Sequence, residues 1–585
     1  MLNRRSSRSW REARTVVEDL LKPLLVDPDA VRAAAEVELR FGGPQAPVRD
    51  RQILSAVRDV VLEDEERARA LGRCLARTGS SPAAVCVGLA LLGRLGEPED
   101  VPCLKALGRF RDLMSPAVYA LDAIDRQAAA VVWLGIRSEG PELSGLVTAV
   151  EAGDMVAVRL KLAAVPRDPG IVGPEAARRI MEAVRPADIL GAGEMPPSQR
   201  AELAACTGWL LFRATSLRDD RAEILYCSEA VRSYEAFVSC AGVLEPTLDH
   251  YGLLLSAAFD LHSGPSRLRD WGPGRREALL AELDSVLRRP EWCAVTAPDA
   301  EPGEGADGVE RRRFQWVRRN ARRPFGGGVD AVGPVGPVGP MGPVGPVLRD
   351  LRDLQDLRDL QVLPVLRVLR VEIVVRDPVD SDTVEVRMLI DGRPLVPEVF
   401  GRGPAHTPEW LLDSGRLRAT EEPREVQLAE AYCTEGCCGA LHVTIRRDGD
   451  EVVWSDWRCP SPPPSPLHVR EIPELRFDAA AYDAEISRAE NDHAWTWPAR
   501  KAARLIAAGL RDRPELLSRW DTELSWAGTD FQDPDRTALC LRYEGADGSP
   551  KYRMWHIPED GTPPEDRAAD ALRRLATVDP RTYGA

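Results

Sequence analysis

The sequence predicts a multidomain fold, an all-α N-terminal part followed by an α+β part with an antiparallel sheet, and three observations predict it. From Trp10 to about Trp292 the apolar residues recur three and four positions apart, which is the period of amphipathic helices. After Pro364 the period falls to two and β-branched residues take over. Between the two lie tracts that cannot build a core: Gly333-Pro334-Val335 opens five Gly-Pro-X triplets ending at Val347, and Leu348-Arg349-Asp350 opens a second triplet repeat that runs to Val371. The expected organisation is a helical superhelix over 10–295, a linker over 296–365 and an α+β module over 366–585.

In the helical part the breaks between apolar runs carry helix-start chemistry. Ser81-Pro82 and Ser115-Pro116 each set a capping hydroxyl before a proline suited to the first helical position. The clearest unit is Pro82 to Phe110. Ala83, Val87, Ala90, Leu91 and Leu95 form one apolar stripe, and Val101, Leu104, Leu107 and Phe110 form a second across a Gly96-to-Asp100 turn. A hairpin with so much apolar surface needs stacked neighbours to cover it. The stretch Leu91-Leu92-Gly93-Arg94-Leu95-Gly96-Glu97-Pro98-Glu99-Asp100-Val101-Pro102 resembles the inter-helix signature of the HEAT-repeat family. The resemblance is best over 10–165, and it implies a HEAT-like α-solenoid whose curved face binds a protein partner. Residues 166–295 are helical by pattern only.

In the joint, Ala297 to Glu310 is acidic, rich in Gly and Pro, and reads as disordered linker. Gly303 to Gly308 fits G-x-G-x-x-G, yet no strand precedes it, so it is not read as a dinucleotide site. Arg311 to Arg323 interleaves arginines with Phe314 and Trp316. Such a pattern either stacks on bases and neutralises phosphates, or buries its aromatics against the preceding helices and turns its arginines to water or to the protein's own acids. The second reading is preferred, because a net charge of −15 repels polyanions at long range. The Gly-Pro-X tract favours an extended polyproline path, a spacer of up to ~46 Å at about 3.1 Å per residue. Two independently cored bodies joined by this strap are the expected result.

In the last part, Val371–Val375, Thr383–Ile390, Glu425–Glu430, Ala440–Arg446 and Glu451–Trp457 read as strands, with Asp391-Gly392 as a hairpin turn. Helices are expected after Asp478, from Pro498 and over Glu565–Thr577. A hairpin of Ala538–Tyr543 with Lys551–Ile557 is expected to extend the same sheet.

The chemistry-bearing constellation is Cys433, Cys437 and Cys438 between two predicted strands, with Cys459 past the next hairpin and His442 on the strand between. Converging thiolates would hold Zn²⁺, and zinc is the one cofactor this set would take. C-x₃-C-C is not the usual knuckle spacing, so a Cys433 disulfide or redox switch and free thiols stand beside the metal reading, with free thiols favoured. The surrounding Ala431-to-Ala440 stretch is similar to cysteine-rich loops of uncharacterised bacterial proteins, a resemblance that brings no activity.

There is no G-x-x-x-x-G-K-[ST], G-x-S-x-G or H-E-x-x-H motif, and the seven histidines form no cluster in the sequence, so no catalytic or cofactor-binding residue is assigned. No run of about eighteen uncharged apolar residues is present, so no membrane contact is expected, and the basic N-terminus lacks the apolar segment of a secretion signal. Most of the cysteines sit in apolar helical surroundings, which points to a reducing cytoplasm. The expectation is a non-enzymatic scaffold or regulator with a protein partner. A thiol- or metal-dependent enzyme and a regulator touching nucleic acid through Arg311–Arg323 are the alternatives.

Overall fold

The computed structural model describes residues 10–41, 50–137, 140–192, 195–217, 221–297, 299–303, 305–321, 323–325, 366–431, 439–458, 472–530, 532–545 and 547–583. The N-terminal part is helical throughout, from Trp10–Leu25 to Gly308–Asn320. Helices pack on the next helix in the chain or the next but one: Asp50–Asp59 lies on Pro82–Leu95, which lies on Met114–Ile124, which lies on Arg126–Arg137. Ser81 caps its helix as expected, its hydroxyl accepting the Ala84 N–H at 3.3 Å. Glu65–Thr78 and Pro82–Leu95 approach so closely that a Cβ on Gly88 would lie 2.7 Å from the Leu75 Cβ. Val87, Ala90, Leu91 and Leu104 are core residues of this stack.

Two details of the helical reading are corrected. The helix carrying Ser115-Pro116 begins two residues earlier, at Met114, with Leu113 as its cap residue and no side-chain capping bond. Phe110 is 62% exposed, because the helix it was placed on ends at Gly108 and turns the ring outward.

The C-terminal part is α+β with antiparallel sheets. Its strands are β1 (Leu369–Val375), β2 (Val384–Ile390), β3 (Arg393–Pro394), β4 (Arg424–Glu430), β5 (Ala440–Asp448), β6 (Glu451–Arg458), β7 (Leu475–Asp478), β8 (Thr522–Thr529), β9 (Thr537–Glu544) and β10 (Pro550–Ile557). They form sheets β1-β2-β3, β4-β5-β6-β7 and β10-β9-β8. Asp391 and Gly392 both have positive φ, 50° and 79°, as a two-residue hairpin turn between the paired Ile390 and Arg393 requires.

Backbone bridges join the first two sheets. The Arg367 N–H donates to the Arg476 carbonyl at 2.7 Å, and His406 is hydrogen-bonded to Val386 on one side and Leu428 on the other. The hairpin of β9 and β10 does not extend that sheet. With β8 it makes a separate one, packed through Leu539, Leu541 and Trp555 on helices Pro498–Asp512 and Pro564–Thr577.

The two parts share one interior. A single apolar cluster runs from Ala130 through Leu254, Phe259, Trp316 and Phe325 to Val371, Val375, Val386, Leu441 and Trp495. The expectation of two independently cored bodies therefore fails. The physical reason lies in β1: all of its residues but Arg370 are buried, Glu372 among them, so the strand is covered on both faces. Helix Gly308–Asn320, in what was read as linker, supplies part of that cover, burying Phe314, Trp316 and Val317, with the Trp316 indole donating to the Val375 carbonyl at 2.9 Å. The Gly-Pro-X and leucine triplets up to residue 365 lie outside the described residues.

Candidate functional site

Three inter-helix turns open on one groove of about 510 Å³. Half-buried Val101 and Ile124 line it, exposed Pro98 and Pro102 stand on one side, and Arg126 and Arg185 reach in from the turns beyond. The sequence places these residues by helix punctuation. Pro98 and Pro102 sit in the first turns of their helices, and Asp125 accepts the Ala128 N–H at 3.0 Å as the cap of Arg126–Arg137. Long-range bonds fix the turn: Gln127 donates to the Ala183 carbonyl and Arg126 to the Tyr226 carbonyl, both at 2.8 Å. Arg185 links Pro174–Val184 to Pro186–Gly191 in the left-handed conformation, φ 50° and ψ 71°.

Behind the groove wall lies a buried charge network. Arg178 donates to Glu223 at 2.6 Å and to Glu182 at 2.9 Å, Arg179 pairs with Asp122, and Arg126 is 3.5 Å from Glu182. Burial drives the Glu182 carboxyl above its usual range. Burial acts on Glu223 too, but Arg178 and Arg221 outweigh it and hold that carboxyl low. Matched in this way, the network stiffens the wall and offers no unpaired acid or base to a reaction.

A second polar cluster lines the seam between the helices and the first sheet. Asp380 receives Arg213 at 2.7 Å and Ser216 at 2.6 Å, Asp377 receives Arg313, and Glu372 receives His262 at 2.8 Å and Arg323 at 3.4 Å. Burial would raise Glu372, yet His262 and Arg323 hold it at about 2. The space in the seam beside Asp377, Asp260 and Trp316 is only about 30 Å³, room for a water and not for a substrate. The arginine–aromatic segment is used in this seam: Arg312 bonds Asp382, Arg313 bonds Asp377 and Asp249, and Arg319 faces the Trp497 ring.

The cysteines singled out as metal ligands, Cys433, Cys437, Cys438 and Cys459, lie outside the described residues. His442 is on β5, with Nδ1 3.8 Å from Glu425. Among the described residues no group of three or more His, Cys, Asp or Glu is placed to hold a metal ion. Of the helical cysteines whose surroundings predict buried thiols, Cys86, Cys206, Cys227 and Cys240 are buried while Cys74 and Cys103 are half-buried, and burial pushes the Cys206 and Cys227 thiols up to about 12.

His406 is a residue sequence reasoning missed. Its Nε2 is enclosed without a partner among the described residues, and its ring lies 5.3 Å from that of Trp410, which Arg416 covers at 3.8 Å. Burial, then the charge of Arg416, depresses its pKa to about 4, so the imidazole is neutral at pH 7. A single histidine in a loop carries no pattern that would have marked it. In the sequence neighbours Asp249-His250 and Asp492-His493 the carboxylate does not orient the imidazole: His250 Nδ1 meets the Glu245 carbonyl, and His493 meets Arg504.

Among the described residues no helix is long and apolar enough to cross a membrane. No protein-family model matches the chain, no curated protein matches it, and no solved structure matches it.

Proposed function

We propose that the protein is a non-enzymatic scaffold or regulator, with a HEAT-like helical stack that holds a protein partner. The observation that carries this reading is the groove of about 510 Å³ where three inter-helix turns meet, lined by aliphatic, proline and arginine residues with Asp125 and Gln127, and by no Ser, Thr, Cys, Lys or His. Its size suits a few side chains of a polypeptide. The run of helices packed in chain order supports the solenoid part of the proposal. A photo-crosslinking residue at Pro102, on the exposed rim, tests it in cells, with the same residue at Glu66 as control. A discrete adduct formed from position 102 and lost in an Ile124→Glu background is expected. No adduct from several rim positions would end the scaffold reading.

A metal- or thiol-dependent site in the C-terminal part is the second reading, and one observation favours it: His406, whose neutral imidazole has no partner among the described residues, bonds through its backbone to Leu428 of β4, the strand that precedes the stretch holding Cys433, Cys437 and Cys438. Elemental analysis of the purified protein separates the two readings. Absence of zinc together with freely titratable thiols would remove the metal version. Nucleic-acid contact through Arg311–Arg323 has less support, since Arg312, Arg313 and Arg323 are already paired with this chain's acids.

A further inference from the structure

We infer that the groove binds an extended segment of a protein partner in which an Asp or Glu, read by Arg185 with Arg126, stands beside an aliphatic residue seated on Val101 and Ile124. This rests on the scaffold reading and adds the chemistry of the partner to it.

Arg185 is the first argument. Among the described residues four non-glycine positions have positive φ: Arg185, Asp391, Asp456 and Asp521. Three are aspartate, a type that tolerates this region, whereas arginine is disfavoured there. Two other helix junctions of this chain use glycine for the same backbone conformation, Gly153 at φ 68° and Gly274 at φ 69°. An arginine kept where glycine is the relaxed choice points to use of its side chain. That side chain lines the groove, is exposed, and has no hydrogen-bond or ion-pair partner among the described residues.

Charge is the second. The groove is lined by two guanidiniums and one carboxylate, Asp125, and one oxygen of that carboxylate already accepts the Ala128 N–H. Arg126 already lies 3.5 Å from Glu182, so Arg185 is the guanidinium left with no ion-pair partner among the described residues, and on a chain of net charge −15 it singles out an acidic partner segment against the background of the surface. Preorganisation is the third. Arg126 is held by the Tyr226 carbonyl beside Glu182, so little side-chain freedom remains for a ligand to remove. The lining has no aromatic ring on which a base would stack, and this sets a peptide above single-stranded nucleic acid.

The test is selection of a phage-displayed random dodecapeptide library on the intact protein, then fluorescence anisotropy with the best synthetic peptide. Enriched peptides are expected to place Asp or Glu next to Leu, Ile or Val. Arg185→Gly is expected to weaken binding about tenfold or more, with Arg185→Lys retaining part of it. Because glycine suits φ 50°, the Arg185→Gly variant should melt at or above the wild-type temperature, so lost binding is not misfolding. The inference is overturned by an empty selection, by peptides with no acidic bias, by wild-type affinity in Arg185→Gly, or by an oligonucleotide that competes for the groove. If the Pro102 adduct forms and is unchanged in Arg185→Gly, the acidic-segment inference falls while the scaffold reading stands. If no rim position yields an adduct, the scaffold reading falls first.

Discussion

Arg323 and Glu372 stand 49 residues apart in the sequence, one on each side of the triplet tracts, yet the guanidinium is 3.4 Å from the carboxylate. Phe325, two residues after Arg323, packs edge-on against Phe259 at 5.0 Å, in the same apolar cluster as Val371. The chain therefore leaves one core and returns to it. The tracts join two edges of a single interior instead of spacing two bodies.

A cut in the tracts should accordingly leave both pieces bound to each other. With a protease site placed between Gly333 and Val347, the cleaved protein is expected to elute as one species and to give a single calorimetric transition. Shortening residues 326–365 about fourfold should change stability by only about 1 kcal/mol, because loop-closure entropy grows with the logarithm of length. Two separate transitions after cleavage would contradict the shared core.

Glu372 predicts acid sensitivity with a definite sign. Its carboxyl is held at about 2 in the folded protein against an ordinary value of 4.5. A depressed carboxyl contributes stability that is fully present above pH 4.5 and is lost as pH falls through about 2. The contribution is on the order of 3 kcal/mol. Urea midpoints measured between pH 5 and pH 2.5 should fall with acid, and Glu372→Gln should reduce that slope. At pH 7 the same substitution leaves His262 and Arg323 facing an uncharged amide at a buried seam, at a cost of about 3 kcal/mol or more.

Much of the architecture was legible because its signals are local. On β5 the alternation of buried Leu441, Val443 and Ile445 with His442 and Thr444 is written directly in the residues, and Asp391-Gly392 marks its hairpin by residue type alone. What was not legible depends on distant partners. The alternation of Leu369, Val371 and Ile373 with Arg370 and Glu372 signals one covered face of β1, and nothing local says that its other face is covered too or that Leu248–Ser263 and Gly308–Asn320 pack in the same core. β8, Thr522–Thr529, mixes Glu523, Ser525 and Gly528 into its strand, and it holds its place through pairing with β9. The groove was invisible for a further reason: an arginine is no signal for a left-handed turn, and the turns that meet at Ile124 and Arg185 are far apart in the chain.

His406 predicts a second pH window, higher than that of Glu372. Its folded pKa is about 4, below the ordinary 6.5, so the folded protein keeps the ring neutral while the unfolded chain takes up a proton. Stability is whole above pH 6.5 and declines as pH falls towards 4. His406→Phe should flatten the dependence between pH 6.5 and 4 while leaving the fall below pH 4.5 due to Glu372. An unchanged slope in that variant would show that another group titrates there.

Trp316 offers the sharpest test of the seam between helices and sheet. The side chain is among the largest fully buried ones, its ring lies 6.2 Å from Phe259, and its indole N–H satisfies the Val375 carbonyl of β1. Trp316→Ala removes that volume and strands a buried carbonyl at once. The expected cost is about 3–5 kcal/mol by chemical denaturation. Trp316→Phe refills most of the space and loses only the hydrogen bond, so its cost should be nearer 1–2 kcal/mol. If the helix merely rested on a linker, both variants would unfold like the wild type. A large loss in the first and a small one in the second instead mark Gly308–Asn320 as part of the core that holds β1 against the helical stack.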